Sequence, residues 1–439
     1  MSRKMKDSCV PWVGDIPEKW SAQSVKNLVE PGKNGIKIGP FGSALKGKTL
    51  DAGPVKIYNQ ANLISEDFDV SRHFVSEETF KELSAYQVFP GDILFSMMGT
   101  IGKCCQMPAN KQVGIMDSHL LKARLNSKIL PEFFIYAFDK DRNPSTFDQL
   151  MLLSKGSIMN GLNSEIVRKV KIAVPPINEQ HAIVSYLDSH CATIDSAISK
   201  HQQIIEKLEE YRKAVITQAV TKGLNPNVEM KESSIPWVKS IPAEWSEQPL
   251  KILFNNRKNK NTDCAEVNLL SLSYGRIIRK DINSNEGLLP ENFSGYNIIE
   301  PNDIVLRLTD LQNDHRSLRT GLVTEHGIIT SAYVTLCPKT DINSEYYHYL
   351  LHSYDIQKVF YTLGEGIRQS LKYEDLSKVL VPVPSRKEQD DIVRYLNGLS
   401  ETVDKAIDKH NQLISKLQEY KQSLIYNAVT GKIDCTTEA

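Results

Sequence analysis

The stretch Val10-Pro-Trp-Val-Gly-Asp-Ile-Pro-Glu-Lys-Trp20 returns later in the chain as Ile235-Pro-Trp-Val-Lys-Ser-Ile-Pro-Ala-Glu-Trp245. A second stretch, Val174-Pro-Pro-Ile-Asn-Glu-Gln180, returns as Val383-Pro-Ser-Arg-Lys-Glu-Gln389, together with the helical run that follows it. Between these copies lie two blocks, residues 21–173 and 246–382, that resemble each other only weakly. A repeat of this length indicates a duplicated domain rather than a solenoid, whose period is about 20–50 residues. The pattern therefore predicts one scaffold, used twice, around two different middles.

The composition is that of a globular protein with room for at least two domains. The 439 residues are 41% hydrophobic and 24% charged, and no apolar run approaches the roughly 20 residues of a membrane span. The seven cysteines form no Cys-x-x-Cys pair, which favours reduced thiols in a cytoplasmic protein and predicts no metal site. Basic and acidic residues both total 53, so the formal charge is zero and we expect only modest unaided affinity for DNA.

The two blocks predict mixed α/β folds. Short apolar runs at residues 55–58, 92–97, 120–125, 269–272, 303–308 and 332–336 are typical of strands, and helical patterns follow at 131–139 and 344–360. We predict two globular α/β domains in a pseudo-two-fold arrangement, separated by an antiparallel coiled coil of two long helices. The expected segments are a first domain at 1–173, a helical spacer at 174–222, a polar linker at 223–234, a second domain at 235–382, a second spacer at 383–430 and a tail at 431–439.

The helical runs behind the copied stretches carry a coiled-coil pattern. Residues recur at alternating steps of three and four, which is the spacing of a coiled-coil seam. The predicted seam of the first helix is Ile194, Ala197, His201, Ile204, Leu208, Tyr211 and Val215, and that of the second is Val403, Ala406, His410, Leu413, Leu417, Tyr420 and Leu424. Residues 192–221 would span roughly 45 Å, and we expect a shorter helix to precede them from Glu179-Gln180.

Two matching seams in one chain predict that the helices pair with each other and run antiparallel. The alternative is that each helix packs only on its own domain. A centred antiparallel register places His201 opposite Tyr420 and Tyr211 opposite His410. A His–Tyr hydrogen bond in each of these layers would satisfy polar groups that are costly to bury.

The sequence lacks the patterns that would make the chain an enzyme. It contains no Gly-x-x-x-x-Gly-Lys-[Ser/Thr] phosphate loop, no glycine-rich cofactor loop and no His-Glu-x-x-His metal pattern. Asn143-Pro-Ser and Asn225-Pro-Asn lack the aromatic residue of a base-flipping methyltransferase motif. We therefore expect a non-catalytic protein with no metal and no cofactor of its own.

The doubled plan resembles the DNA-specificity subunit of type I restriction-modification systems. The resemblance rests on the repeated Ile-Pro-x-x-Trp, on Val-Pro-x-x-x-x-Glu-Gln before a helix, and on the matching helix ends at residues 211–221 and 420–430. Inside the blocks, Gly39-Pro-Phe-Gly-Ser43, Pro90-Gly-Asp-Ile-Leu94 with Gly99-Thr-Ile-Gly102, and Gly366-Ile-Arg-Gln-Ser-Leu371 resemble segments of target-recognition domains. The second block has Pro301-Asn-Asp-Ile-Val305 where the first block has Pro90-Gly-Asp-Ile-Leu94. We therefore expect the two domains to recognise different DNA sequences.

The resemblance implies that this chain recognises DNA and that partner subunits carry out the chemistry. Each domain would read one half of a split, asymmetric target in double-stranded DNA, while the helices would space the halves and dock two methyltransferase subunits. Restriction/translocase subunits would complete the complex, and S-adenosylmethionine, ATP and Mg²⁺ would bind those partners rather than this chain. The alternatives are a coiled-coil protein-interaction scaffold without sequence-specific readout, and an enzyme whose site the sequence does not reveal.

Candidate DNA contacts are side chains suited to phosphates and base edges: Arg or Lys for guanine, Asn or Gln for adenine, and hydroxyls for either. In the first block they are Ser43, Lys46, Lys48, Asn59, Gln60, Asn62, Lys103, Lys155, Ser157 and Asn160. In the second block they are Tyr274, Arg276, Arg279, Lys280, Arg307, Arg316, Arg319, Arg368, Gln369 and Lys372. We expect Arg319→Ala or Arg368→Ala to impair one half-site only. The repeated tryptophans are expected to be packing anchors rather than base-stacking residues: Trp12, Trp20, Trp237 and Trp245.

Overall fold

The computed structural model describes residues 3–32, 35–154, 162–282, 290, 292–311, 318–363 and 370–436. The chain forms two compact units. Unit 1 combines Met1–His201 with Asn411–Ala439, and unit 2 is the continuous segment Gln202–His410. The units therefore change over within each long helix, after His201 and after His410, which are equivalent positions of the sequence repeat.

Unit 1 is a mixed α/β unit built mainly from the first variable block. Its strands are β1 (Met5–Asp7), β2 (Asp15–Pro17), β3 (Ser21–Ser24), β4 (Ile36–Ile38), β5 (Val55–Tyr58), β6 (Phe74–Val75), β7 (Gln87–Val88), β8 (Ile93–Ser96), β9 (Cys104–Gln106), β10 (Gly114–Met116), β11 (Leu120–Ala123) and β12 (Lys171–Val174). Its helices are α1 (Gly42–Leu45), α2 (Gln60–Ser65), α3 (Glu77–Glu82), α4 (Pro131–Phe138), α5 (Pro144–Leu153), α6 (Ser164–Lys169) and the first part of α7 (Ile177–Lys222).

Unit 2 has the same class of fold. Its strands are β13 (Met230–Glu232), β14 (Ser240–Pro242), β15 (Ser246–Pro249), β16 (Phe254–Asn256), β17 (Leu270–Ser273), β18 (Arg276–Arg279), β19 (Asn297–Ile299), β20 (Ile304–Leu306), β21 (Thr320–Leu322), β22 (Gly327–Ile329), β23 (Val334–Pro338) and β24 (Leu380–Val383). Its helices are α8 (Leu250–Leu253), α9 (Ser344–Ile356), α10 (Val359–Leu363), α11 (Tyr373–Leu376) and the first part of α12 (Arg386–Val429). The mixed α/β prediction is confirmed for both blocks.

The two dissimilar blocks share one sheet plan. In unit 1 an antiparallel sheet has the strand order β4-β11-β8-β9, and in unit 2 the order is β16-β23-β20-β21. Beside it, β5 pairs in parallel with β10 in unit 1, and a parallel bridge joins Leu269 to Ile328 at the same place in unit 2. Strand order therefore survives where sequence similarity does not.

A central strand in each unit separates two hydrophobic cores. Along β8, Ile93 and Phe95 belong to the large core that includes the long helices, whereas Leu94 belongs to a smaller core on the other face. Along β20, Val305 likewise faces away from Ile304 into a second core. Because alternate side chains of a strand point to opposite faces, a strand buried on both faces is apolar throughout rather than alternating.

The copied stretches of sequence are the segments that touch each other. The indole N–H of Trp20 donates to Glu179 at 2.9 Å, and that of Trp245 donates to Glu388 at 3.1 Å. β3 pairs with β12 and β15 pairs with β24 in the same antiparallel manner. Residues repeated at distant points of the chain thus form one joint, and this joint occurs once in each unit.

A buried glutamine completes each joint. The Gln180 side-chain oxygen accepts the backbone N–H of Leu130 at 2.8 Å, and its amide N–H donates to the Lys128 and Pro175 carbonyls at 2.9 Å. Gln389 accepts the backbone N–H of Asn343 at 2.8 Å and donates to Pro384 at 2.9 Å. These bonds tie the start of each long helix to the start of α4 or α9.

The long helices are longer than the sequence pattern indicates. α7 has 46 residues and α12 has 44, so at 1.5 Å per residue they span roughly 69 Å and 66 Å. The predicted break between a short first helix and a long second one is wrong, because α7 contains no proline or glycine after Ile177 and Gly398 does not interrupt α12. Among the described helices, none combines the length and the apolar character needed to cross a bilayer.

The prediction that the two helices pair and run antiparallel is confirmed. In unit 1, Lys421 forms an ion pair with Asp195 at 2.7 Å. In unit 2, Arg212 forms an ion pair with Asp404 at 2.6 Å. Contacts farther along α7 therefore fall earlier along α12, and the four residues occupy equivalent positions of the repeat.

The seam of the pair differs from the predicted one. The positions Ile194, Val403 and Leu424 are buried as expected, and Leu208 is half-buried. Six more are half-buried: Ala197, His201, Val215, Ala406, His410 and Leu417. The remaining four are exposed: Ile204, Tyr211, Leu413 and Tyr420. The isoleucines beside the predicted positions, Ile198, Ile205, Ile407 and Ile414, are half-buried and widen the buried side of each helix.

The expected His–Tyr layers are wrong for the same reason. The side chains of Tyr211 and Tyr420 are 52% and 56% exposed. Within the described part of the chain, neither phenol has a hydrogen-bond partner. At the positions next to them, Arg212 and Lys421 face the other helix and form the ion pairs described above.

Removal of the buried amide should destabilise unit 1. Gln180→Ala leaves one buried N–H and two carbonyls without a partner, so we expect the free energy of unfolding to fall by about 2–3 kcal/mol. Urea unfolding followed by tryptophan fluorescence checks this, since Trp20 lies at the same joint. Gln203→Ala, at an exposed position of α7, is the matched control and should change stability by less than about 0.5 kcal/mol. Equal effects of the two substitutions would contradict this account.

Candidate nucleic-acid interface

Polar side chains gather in unit 1 where β5 and β8 end. The Gln60 amide donates to the Met98 carbonyl at 2.5 Å and to the Thr100 hydroxyl at 3.0 Å. The Ser96 and Thr100 hydroxyls lie 2.7 Å apart. The backbone N–H of Leu162 donates to the Met97 carbonyl at 2.9 Å at the same strand end. Amide and hydroxyl groups at the ends of neighbouring strands are suited to base edges and phosphates.

Two predicted DNA contacts next to this cluster have a structural role. Asn59 is the N-cap of α2 and accepts the backbone N–H groups of Ala61 and Asn62. Asn62 is buried, and its amide donates to the Asp67 and Val70 carbonyls. The predictions for Asn59 and Asn62 are therefore wrong, because their hydrogen-bonding groups are used to hold α2 and the loop behind it. Gln60, between them, also donates its amide N–H groups within the protein, but its side-chain oxygen accepts no hydrogen bond from the described residues, so Gln60 remains a candidate as an acceptor.

The glycine- and lysine-rich loop of unit 1 surrounds α1. A Cβ atom at Gly39 would lie 1.8 Å from the Asp117 carbonyl oxygen, so the loop backbone packs directly on the β10–β11 connection. Ser43 and Lys46 are exposed, and Lys46 has no ion pair within the described residues. Lys48 is paired with Glu82 at 2.6 Å. Ser43 and Lys46 are thus placed to meet a phosphate, whereas the charge of Lys48 is already balanced.

Lys103 lies in a cleft of about 520 Å³ that is more acidic than basic. Its lining carries Glu66, Asp139, Asp141 and Asp195 against Lys103, Arg142 and Lys421. Burial acts to lower the pKa of Lys103, but the nearby Asp139 and the hydrogen bond to Asp141 more than offset this and raise the pKa overall. The positive charge of Lys103 is therefore balanced by the carboxylates of Asp139 and Asp141. The other candidates of this block, Lys155, Ser157 and Asn160, lie outside the described residues.

The equivalent edge of unit 2 carries a β-hairpin. β17 and β18 pair in antiparallel register around the two-residue turn Tyr274-Gly275. Tyr274 is 82% exposed, and Arg276 and Lys280 are exposed as well. Arg279 is paired with Glu325. Unit 2 therefore presents an aromatic ring and two cations at the place where unit 1 presents an amide and a hydroxyl.

Arg319 is wrongly predicted as a DNA contact. Its side chain is fully buried. The guanidinium donates to the Arg307 and Thr309 carbonyls at 3.0 and 2.9 Å, and its own backbone N–H donates to Asp355 at 2.7 Å. Five fixed donors make arginine the residue that can hold several carbonyls at once, so Arg319 shapes the loop between β20 and β21 from inside.

The remaining candidates of unit 2 divide into two groups. Arg307 is half-buried and Lys372 is exposed. Leu371, next to Lys372, donates its backbone N–H to the Leu308 carbonyl at 2.9 Å, which repeats the Leu162–Met97 bond of unit 1. Arg316, Arg368 and Gln369 lie outside the described residues, so the expectation for Arg368→Ala stays a prediction.

The hairpin turn also lines a cleft of about 350 Å³ in unit 2. Arg212, Lys213 and Arg276 bring positive charge to this cleft. Two histidines of α9 line it too, and burial lowers the pKa of His348 and of His352 to about 4. These histidines are neutral near pH 7. Glu209 and Asp404 also line the cleft and pair with Arg212, so the remaining positive charge comes from Lys213 and Arg276.

Some site residues escaped the sequence analysis. Thr100 and Met98 are in the cluster at the end of β8, and His119 is exposed beside it, with its carbonyl accepting the Met97 N–H at 3.1 Å. Lys213 lines the cleft of unit 2. The signal for Thr100 was present, because Gly99-Thr-Ile-Gly102 directly follows a strongly apolar strand pattern.

The chain matches one family model and is similar to several known proteins. Residues 35–210 match the model described as type I restriction modification DNA specificity domain. The chain is 22% identical over 437 residues to the putative type I restriction enzyme MjaX specificity subunit of Methanocaldococcus jannaschii, covering 97% of this chain and 96% of that one. It is 22% identical over 371 residues to the type I restriction enzyme EcoBI specificity subunit of Escherichia coli, covering 79% and 75%.

Two solved structures share the fold. One comes from work on complex assembly and conformational transition of the type I R-M system, with a TM-score of 0.67, 13% identity, and coverage of 95% of this chain and 99% of that chain. The other is the HsdS subunit of Thermoanaerobacter tengcongensis, with a TM-score of 0.52, 14% identity, and coverage of 95% and 98%. At these identities the likeness concerns the fold, and it extends over almost the whole chain.

Loss of the buried guanidinium should destabilise unit 2. Arg319→Ala leaves several buried carbonyls unpaired, so we expect the free energy of unfolding to fall by about 3 kcal/mol or more. Arg319→Lys should not restore stability, since an ammonium group cannot span the same carbonyls. Arg276→Ala, at an exposed position of β18 in the same unit, is the control and should leave the urea midpoint unchanged. An Arg319→Ala protein as stable as the control would show that the side chain is not a structural anchor.

Proposed function

The chain belongs to the family of type I restriction-modification specificity subunits, and we propose that it reads a bipartite, asymmetric DNA target and docks the modification subunits beside it. The family supports sequence-specific DNA recognition by a non-catalytic subunit, since its model is that of a DNA specificity domain. The bipartite target and the docking of the modification subunits are what we propose beyond sequence-specific DNA recognition.

The observation that carries the proposal is the difference between two otherwise equivalent strand ends. Both units keep the same joint and the same sheet order. At the end of β5 unit 1 offers Gln60 beside Thr100, whereas at the end of β17 unit 2 offers Tyr274 and Arg276. Glutamine suits adenine and arginine suits guanine, so the two units are equipped for different half-sites. Two unlike readers in one chain fit an asymmetric split target.

The neutral charge of the chain supports a need for partners. Several cations of the candidate interface have acidic partners: Lys48, Lys103 and Arg279. Phosphate contacts from this chain alone are therefore few, and affinity rises with each phosphate that is neutralised. We propose that the methyltransferase subunits supply the remaining contacts, that S-adenosylmethionine, ATP and Mg²⁺ bind the partner subunits, and that the complex acts in the cytoplasm.

The exposed stripe on the helices is the proposed docking surface. We call it the outer stripe; it consists of Ile204 and Tyr211 in unit 2 and Leu413 and Tyr420 in unit 1. These side chains recur at seven-residue intervals and are unused by the seam, which is the arrangement that an added helix needs. Because each unit carries the same stripe, we propose one methyltransferase subunit for each. Restriction/translocase subunits would join the complex through those partners.

A coiled-coil scaffold without DNA readout is the competing function, and DNA enrichment separates the two. The chain is mixed with its methyltransferase partner and random duplexes, and the bound DNA is sequenced. We expect a motif of two different halves with a fixed gap. An enriched pool without any motif would leave only the scaffold function.

Single substitutions should affect one half of that motif. Gln60→Ala should relax selection at one base of one half, and Arg276→Ala should weaken the other half, each by about tenfold, the size expected for a lost base contact. Gln412→Ala, exposed on α12, is the control and should change neither half. If Gln60→Ala and Arg276→Ala changed the same half, the assignment of one unit to each half would be wrong.

The outer stripe should be required for docking but not for folding. A glutamate at a buried aromatic contact desolvates a charge, so Tyr211→Glu or Tyr420→Glu should weaken methyltransferase binding by at least about tenfold. Each substitution should remove one partner copy, measured by light scattering of the mixed proteins. Gln412→Glu adds the same charge to an exposed polar position of α12 and should leave binding intact. Full binding of two partners by both tyrosine variants would exclude this surface.

A further inference from the structure

We propose that Tyr274 is a wedge that inserts its ring into the base stack of the half-site read by unit 2. The proposal rests on the proposed function, because it takes DNA to be the ligand of the hairpin. It differs from hydrogen-bond readout, since the ring would separate neighbouring base pairs rather than contact their edges. Aromatic and apolar wedges of this kind unstack a base step and kink the duplex.

The first observation is that the described residues of unit 2 leave the Tyr274 ring largely uncovered. It is 82% exposed. Within the described residues, its hydroxyl has no hydrogen-bond partner and its ring stacks on no aromatic or cationic group. An aromatic ring carries a large apolar surface that gains free energy when it leaves water. That gain is not realised inside unit 2, so it is available to a ligand.

The second observation is that the backbone at Tyr274 is unfavourable for tyrosine. Its φ is +45°, and Gly275 follows with a φ of +79°. Two consecutive left-handed residues form the turn that asparagine and glycine adopt most readily, whereas a residue with a bulky side chain pays a conformational cost there. Tyrosine at this position therefore destabilises the free protein and gains no packing in return. Non-glycine residues held in this region are concentrated at functional sites.

The third observation is that the turn is firmly supported. A Cβ atom at Gly275 would lie 3.3 Å from Leu318, so the backbone of the turn rests on that side chain. Leu318 precedes Arg319, whose buried guanidinium fixes the loop below. On the core side of the ribbon, Leu272 is buried in the second core of unit 2. A supported two-stranded ribbon can enter the major groove and push a ring forward without losing much conformational freedom.

Positive charge flanks the ring on the solvent side. Arg276 and Lys280 alternate along β18 with Ile277 and Arg279, so they share the outer face of the ribbon. Lys213 lines the adjacent cleft. These cations can hold two phosphate backbones while the ring enters between base pairs. The equally exposed Phe41 of unit 1 lacks such a ribbon, as it precedes the four-residue helix α1.

Insertion has a consequence for the target sequence. Pyrimidine–purine steps such as TA and CA unstack most easily. The half-site read by unit 2 should therefore contain such a step at a fixed position, even where no side chain contacts its base edges. The preference for a DNA sequence would then come from how easily that base step is deformed.

Fluorescence of 2-aminopurine tests the wedge directly. The duplex is the motif found by enrichment, with 2-aminopurine replacing one adenine at a time in the half-site of unit 2 and the methylated adenine left unchanged. The complex of the chain with its methyltransferase is added. We expect a several-fold rise in fluorescence at one position for the wild type and for Tyr274→Phe, and loss of that rise for Tyr274→Asn. The free Tyr274→Asn protein should melt at the same or a higher temperature, because the turn is relieved.

Ile252→Asn is the control, since Ile252 is an exposed apolar residue of the same unit that lies on α8 rather than on the ribbon. It should keep the fluorescence rise. A full rise with Tyr274→Asn would overturn the wedge while leaving DNA recognition by the chain intact. Loss of methyltransferase binding by Tyr274→Asn without DNA would also overturn it, because Tyr274 would then be a protein contact. A missing bipartite motif is a separate result, and it would remove the proposed function itself.

Discussion

The rest of the structure depends on the buried joint at the start of each long helix. Here a tryptophan N–H meets a glutamate, and a glutamine amide satisfies backbone groups that would otherwise be buried without partners. Leaving such groups unpaired costs more than any single hydrogen bond contributes, so the set of residues can change only together. The joint is therefore the same in both units, while the blocks between its two sides are free to differ. A fixed joint with variable middles is what allows one chain to carry two α/β units of different sequence.

The sequence determined the joint and the helix pair but left the facing side of the helices ambiguous. Ala197-Ile198 and Ile204-Ile205 are adjacent apolar pairs, so stripes through either member have coiled-coil spacing. The facing side is revealed only by contacts distant in sequence: Arg212 pairs with Asp404 and Lys421 pairs with Asp195, while Ile198 and Ile205 are half-buried. The continuous length of α7 was not predicted, although no proline or glycine follows Ile177 within the helix.

The candidate site was harder to predict than the fold because the same residue types serve both DNA and the protein backbone. Asn62 and Arg319 have the chemistry of base contacts, yet both side chains are buried, Asn62 on helix α2 and Arg319 just before β21, where they donate to backbone carbonyl groups. Only the three-dimensional arrangement distinguishes these two residues from Gln60 and Arg276. Gln60 lies next to the helix cap Asn59, and Arg276 lies next to the turn residue Gly275. The positive charge of a side chain did not identify DNA contacts either, because Lys48 and Arg279 form ion pairs with carboxylates that are far away in sequence.

The interleaved order of the two units bears on how the chain is made. Unit 2 is one continuous segment, whereas the core of unit 1 includes Leu424, Ile425 and Ala428 from the far end of α12. During synthesis the second-encoded unit thus has all its residues first, and the first-encoded unit waits on the ribosome with an open apolar face. Vectorial folding usually favours the amino-terminal domain. Here that order is reversed, so a nascent chain released before α12 is finished would expose the unfilled side of unit 1 to chaperones and proteases.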